Sequence, residues 1–278
     1  MKLHRFEDTS LFYTKVKDYL FSDEVLHNLQ LGNCNNLINN PEKYKIKPYL
    51  AAVEQNGNII AVAMMTLPYD LLLSKIKDFK AIDIIAQDLQ QQCKSLTNVN
   101  APLIESKAFT EKWCFLTGSS YKSKFPLRIF KLEKVELFNQ VKGNLRLATE
   151  KDKQFLKCWY DAFNLEALGS IKSDSDSWVE RVLQKGTAYL WQDEIPVSIA
   201  CSTRCTPKGI GINMVYTPPE YRKQGYASAC VAALSQTLLD KGYKFCFLFA
   251  DLSNPTSNKI YQEIGYKFVA DWNNYSFH

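Results

Sequence analysis

Apolar residues along this chain switch between helical and strand-like spacing. Between residues 10 and 31, Leu11, Tyr13, Val16, Tyr19 and Leu20 recur at helical intervals and predict one or two amphipathic helices. The Asn-rich stretch Asn33–Asn40 then reads as a polar loop. Tyr49–Glu54 and Ile59–Thr66 have strand length and flank Gln55-Asn56-Gly57-Asn58. Asn-Gly tolerates positive φ at both turn positions, so a hairpin is predicted there. Ala81–Lys94 places Ile82, Ile85 and Leu89 on one helical side, and Phe125, Leu127, Ile129, Phe130, Leu132, Val135 and Leu137 read as strands.

The chain turns polar at Asn139–Asn144 and the pattern restarts. Leu145–Ala148 predicts a strand, Lys151–Phe163 a helix, and Thr187–Trp191 with Ile195–Thr203 a hairpin around Gln192-Asp193-Glu194. The order strand, helix, hairpin, helix thus occurs twice, about 140 residues apart, without evident identity between the halves. A duplicated architecture and two unrelated α/β domains both produce such an order; duplication is the expectation adopted. It gives an α/β class with two domains, 1–140 and 141–278.

Composition narrows the function. Hydrophobic residues make up 46% and charged residues 23%, as in a globular protein with ample core. The net charge of +5 is spread without a Lys/Arg run, which argues against nucleic acid and fits an anionic small ligand. Eight cysteines form no C-x-x-C pair, and the three histidines (His4, His27, His278) leave a zinc site almost without ligands, so no metal is expected. Cys201 and Cys205 read as packing, and Cys230 and Cys246 lie in apolar runs. The first residues, Met1-Lys2-Leu3-His4-Arg5-Phe6, do not resemble a secretory leader, and no run of 18 apolar residues spans a membrane. Reduced thiols in a cytoplasmic protein follow as the expectation.

The informative segment is Ile210–Gly242. Ile210–Tyr216 is a strand-length run; Thr217-Pro218-Pro219-Glu220-Tyr221 must leave it, because two prolines cannot continue a ladder. Arg222-Lys223-Gln224-Gly225-Tyr226-Ala227 leads into a helix, Ala227–Lys241, with Ala227, Val231, Leu234 and Leu238 on one stripe and Gly242 as its stop. A loop ending at a helix N-terminus offers unpaired N–H groups and the positive end of the dipole, which suits a pyrophosphate. Gly225 allows close backbone approach, Ala227 keeps the first turn small, and Arg222 adds a forked cationic donor. Taken alone, R-x-x-G-x-A also describes a tight turn before an ordinary surface helix; its place between strand and helix favours anion binding.

Val215 to Ala227 resembles the acetyl-CoA-binding motif of the GNAT acetyltransferase superfamily, which reads Gln/Arg-x-x-Gly-x-Gly/Ala after a strand that splays from its neighbour. Phe245–Ala250 is similar to the next strand, Asp251–Tyr261 to the segment after it, and Ile264-Gly265-Tyr266-Lys267-Phe268 to the family's closing signature. The close resemblance covers about the last 90 residues. It implies two GNAT-like domains of mixed α+β class, each a mostly antiparallel sheet flanked by helices, with 1–140 degenerate and 141–278 binding acetyl-CoA. It also implies an acetyl-CoA-dependent N-acetyltransferase acting on the amine of a small molecule or peptide. It further implies that backbone groups of Met214, Val215 and Tyr216 pair with the pantetheine arm, one of them also stabilising the oxyanion. Amides of Gln224 to Ser228, within the loop that includes Arg222, Lys223, Gly225, Tyr226 and Ala227, would hold the pyrophosphate. Asn254 and Asn258 would meet the cofactor and Tyr261 its sulfur.

The residues themselves support that last group. Asn254 is a good N-cap and Pro255 a good first helical residue, so positions 254, 258 and 261 share a stripe. Tyr261 then reads either as a general acid for the departing thiolate or as a core aromatic beside Ile260 and Ile264. Asp251 and Glu220 are weak candidates for the general base, and Asn213 cannot accept a proton usefully. In the first half, Thr66–Leu73 falls where a phosphate loop would lie and contains no glycine. That half would serve the acceptor pocket or a homodimer surface; Phe109, Trp113, Phe115 and Tyr121 read as core rather than pocket. A CoA-binding sensor or scaffold without turnover is the competing reading, and an interaction module without ligand the third.

Overall fold

A computed structural model describes residues 1–68, 70–92, 96–136, 141–170 and 174–278. Expectations touching Tyr69, Cys93, Lys94, Leu137 and Asn139 lie outside the described residues. In chain order the elements begin with β1 (Lys2–Arg5), α1 (Thr9–Phe21), α2 (Asn28–Asn39), β2 (Tyr49–Gln55), β3 (Asn58–Met65) and β4 (Leu71–Leu73). They continue through α3 (Lys80–Gln92), β5 (Asn98–Pro102), α4 (Leu103–Thr117), β6 (Tyr121–Ser123) and β7 (Leu127–Leu132). The second series is β8 (Asn144–Leu147), α5 (Lys153–Leu168), α6 (Ser175–Gln184), β9 (Ala188–Asp193), β10 (Ile195–Cys205) and β11 (Gly209–Tyr216). It closes with α7 (Tyr226–Asp240), β12 (Phe245–Asp251), α8 (Pro255–Ile264) and β13 (Lys267–Phe277).

Two compact units result. One comprises Met1–Ile129, Phe249–Pro255 and Phe268–His278; the other comprises Phe130–Leu248 and Thr256–Lys267. A single cut at 140 does not describe them, because the last strand of the chain folds into the first unit, where β13 pairs antiparallel with β5.

The repeated element order is real and so is its pairing. In the first unit β1–β2, β2–β3 and β3–β4 are antiparallel and β4–β5 is parallel. In the second, β8–β9, β9–β10 and β10–β11 are antiparallel and β11–β12 is parallel. The parallel rungs follow from the crossover helices α3 and α7. In the first unit helices cover both sheet faces. Ala51 and Val53 join the cluster with α3 and α4, while Leu50 and Ala52 join that with α1 and α2. The second unit packs Leu156, Tyr160, Trp178 and Val182 of α5 and α6 on Leu190, Ile199, Met214 and Tyr216.

The Asn56-Gly57 hairpin forms as expected, with φ of 51° and 78°. The expected loop Asn33–Asn40 is instead almost wholly helical. Leu31, Cys34 and Leu37 supply a buried stripe, and Asn39 Nδ2 donates to the Asn35 carbonyl and side chain, so side-chain bonds that disfavour helix elsewhere run along this one. Phe109 and Trp113 are core residues, but Phe115 is 83% exposed and Tyr121 is exposed on an edge, contrary to the expectation. α4 turns Phe115 away from the buried face, and its ring carries the Lys112 ammonium at 5.7 Å.

Candidate functional site

The candidate site lies in the second unit, where β11 leaves its neighbours. Its parallel ladder with β12 ends at Ile212↔Leu248, while β11 continues to Tyr216. On the other side Cys201 opposes Asn213 and Ile199 opposes Tyr216, so three steps of β11 face two of β10. The extra residue is a β-bulge, and Met214 adopts φ of 51° within it. A left-handed Met is unfavourable, and here packing holds it: Met214 and Tyr216 are both buried in the α5–α6 cluster. Ser198 Oγ donates to the Tyr216 carbonyl (3.2 Å) and bonds Thr217 Oγ1 (2.9 Å), fixing the end of the strand.

Pro218 and Pro219 then open a single 3-10 turn, after which the chain bends sharply. Lys223 has φ of 61° and Gly225 of 84°; Gly225 is the N-cap of α7 and supplies no side-chain cap. Ala229 N bonds the Gly225 carbonyl, but among the described residues no acceptor takes the amides of Lys223 to Ser228. Such a run of unspent N–H groups at a helix N-terminus has the donors and the dipole that favour an anion. Residues 222–225 are exposed and the side chain of Tyr226 is buried. Tyr226 donates its hydroxyl to Asp193 Oδ2 (2.7 Å), which raises the phenol's pKa and lowers that of Asp193. Lys142 pairs with the same carboxylate at 3.3 Å.

The structure gives Gly225 a reason different from close ligand approach. A Cβ there would lie 2.9 Å from Val141 Cγ2 on a backbone that L residues rarely adopt, so the glycine serves the bend and the Val141 contact. Arg222 is also engaged within the protein: Nε donates to the Thr217 carbonyl (2.8 Å) and Nη2 to both oxygens of Glu166 (2.8 and 2.9 Å).

On α8, Asn254 directly precedes the first helical residue, Asn258 is half-buried and Tyr261 is 7% exposed. The shared stripe therefore deepens along the helix. The Tyr261 ring meets Phe130 at 6.2 Å and Tyr266 at 6.0 Å, and burial pushes its phenol up to about 12. It holds its proton at every physiological pH. Asp251 Oδ1 accepts from Ser253 N (2.8 Å) and Oγ (2.7 Å), a turn bond that accounts for the carboxylate locally. Among the described residues no group of three His, Cys, Asp or Glu could hold a metal ion, and no helix is long and apolar enough to cross a membrane.

Neither the Met214 bulge nor the Glu166–Arg222 pair was visible in sequence. The bulge appears only as a pairing register, and Glu166 lies 56 positions from Arg222.

Residues 177–275 match the family model described as GNAT acetyltransferase. Solved structures extend the likeness along the whole chain. One, titled an acetyltransferase from the GNAT family from Colwellia psychrerythraea, has 12% identity and a TM-score of 0.62, covering 100% of both chains. A GCN5-related N-acetyltransferase from Sphaerobacter thermophilus has 11% identity and a TM-score of 0.63 over 99% of this chain and 95% of its own. A tandem GNAT protein from the clavulanic acid biosynthesis pathway has 9% identity and a TM-score of 0.55 over 99% and 98%. No curated protein matches the sequence significantly. Residues 177–275 are thus similar to the GNAT acetyltransferase family, and the whole chain shares the fold of tandem GNAT structures. Family and fold together support acetyl transfer in general.

Proposed function

We propose that the protein is an acetyl-CoA-dependent N-acetyltransferase that acetylates an amine of a small molecule or peptide, with its site in the second unit. The observation that carries this reading is the unspent amide run Lys223–Ser228, entered from a bulged strand. Diphosphate is the anion that such a run fits: several amides converge at one helix end, and the dipole adds to them. Gln224 to Ser228 hold it through the main chain. Met214, Val215 and Tyr216 offer the β11 edge beyond Ile212 to the pantetheine arm, as one more strand would be held. The bulge turns a backbone amide out of the ladder to face the acyl carbonyl oxygen. Asn258 flanks the arm from α8. Tyr261 keeps its proton, and its hydroxyl is the donor assigned to the thiolate as that group leaves. When bound, acetyl-CoA supplies an acetyl thioester activated for transfer to a neutral amine.

A second reading, CoA binding without turnover, draws on one observation: Asp251, a candidate base, is committed to its turn with Ser253. An assay of free thiol release from acetyl-CoA across a panel of primary amines separates the two. Amine-dependent thiol release supports transfer. Tight CoA binding without release under any amine favours the second reading, and no binding at all defeats both.

A further inference from the structure

Arg222 directly precedes the amide run, and its charge is already answered. Both Glu166 oxygens accept from Nη2, the Thr217 carbonyl accepts from Nε, and the guanidinium lies 5.7 Å from the Tyr216 ring centre. The Tyr216 ring in turn meets Trp159 of α5 at 6.3 Å. Glu166 comes from the last turn of α5, so that helix supplies both the ring that backs the arginine and the carboxylate that holds it. Nη1 takes part in none of these bonds. Arg222 and Glu166 side chains are 42% and 48% exposed, so the pair exchanges partners without unfolding anything.

We infer that Glu166 is a place-holder anion: it occupies Arg222 in the free protein, and a diphosphate arriving at the 222–228 loop must compete with it. The inference rests on the proposed CoA reading and adds a determinant of affinity to it. Both Glu166 oxygens converge on Nη2, a nitrogen that a phosphate oxygen would also seek, so the two anions compete for this donor. Glu166 also adds negative charge beside the loop, which opposes a diphosphate until salt screens it. Removing that charge while keeping an acceptor should therefore strengthen binding.

The test is calorimetric titration of the full chain and of Glu166→Gln with CoA, with inorganic pyrophosphate and with pantetheine. Glu166→Gln is expected to tighten CoA and pyrophosphate about two- to fivefold at low salt, to lose that gain at high salt, and to leave pantetheine unchanged. In an Arg222→Ala background the same substitution is expected to change nothing, because the shared guanidinium is gone. Unchanged or weaker CoA and pyrophosphate binding in Glu166→Gln overturns the inference, since Glu166 would then be a splint that orients Arg222 for its ligand. Failure of the unsubstituted protein to bind CoA would instead defeat the functional reading itself. Matching melting temperatures of the two proteins establish that the comparison reads binding rather than folding.

Discussion

The two units reach the same point of the same element order, a strand followed by a crossover helix, and spend its backbone in opposite ways. In the first unit the link from β4 to α3 is closed by the protein. Ser74 N donates to the Val62 carbonyl, Lys75 N to His27 Nε2, Ile76 N to Glu105 Oε1 and Lys77 N to the Ile60 carbonyl. Asp78 Oδ1 takes the Lys80 amide at the start of α3. In the second unit the amides from Lys223 to Ser228 are left open. A buried carboxylate, Glu105, thus stands among the amides of one link, whereas among the described residues no acceptor meets those of the other. The strands differ in the same sense: β4 is a regular three-residue strand, whereas β11 is bulged and outruns its parallel partner. One duplicated frame accordingly carries a sealed copy and an open copy of the same junction.

The largest expected effect comes from filling the open copy. Gly225→Glu sets a side chain against Val141, forces φ of 84° on an L residue and adds negative charge to the cradle. CoA affinity should fall on the order of 100-fold or more. Gly225→Ala, tested beside it, carries the strain without the charge, and wild-type affinity in both would break the comparison. Next, Tyr261→Phe should lower turnover about 100-fold while leaving CoA affinity largely intact. Unchanged turnover would return Tyr261 to its role as a ring between Phe130 and Tyr266.

The sealed copy gives a smaller effect of another kind. Glu105→Ala leaves the buried Ile76 amide without its acceptor and should cost about 1–3 kcal/mol of stability in chemical unfolding, with CoA affinity unaltered. A parallel loss of CoA binding would mean that the first unit shares the ligand. The smallest effect per group is alkaline. Burial pushes Cys34 in the first unit, and Cys230, Cys246 and Tyr261 in the second, up to about 12 from ordinary values of 9.0 for the thiols and 10.0 for the phenol. The folded state keeps protons that the unfolded chain releases, so this stability is whole below about pH 9 and declines as pH rises toward 12. The loss should be on the order of 1 kcal/mol per buried thiol by pH 9.5, seen as a falling melting temperature. A flat melting temperature from pH 8 to 10 would contradict it.

How much of this was legible in the sequence depended on whether a feature is local. The Asn56-Gly57 turn and the Gly225 bend announce themselves because few residues accept their φ values. The stripe from Asn254 to Tyr261 follows from one helix period. The phosphate-loop position in the first half was misplaced onto Thr66–Leu73, because Leu71–Leu73 is itself β4 and the true link runs from residue 74 to 79. Its closure depends on His27 and Glu105, which reach it from 48 and 29 positions away. The bulge at Met214 has no residue signature, since nothing about Met favours positive φ. The return of the last strand to the first unit was hidden for the same reason: strand pairing across 172 residues is set by the sheet, not by either segment alone.

The most direct measurement is the stoichiometry of CoA binding to the intact chain by titration calorimetry. With one junction sealed and one open, a single CoA per chain is expected, abolished by Gly225→Glu and untouched by Glu105→Ala. Two equivalents per chain, or one equivalent that survives Gly225→Glu, would contradict the account.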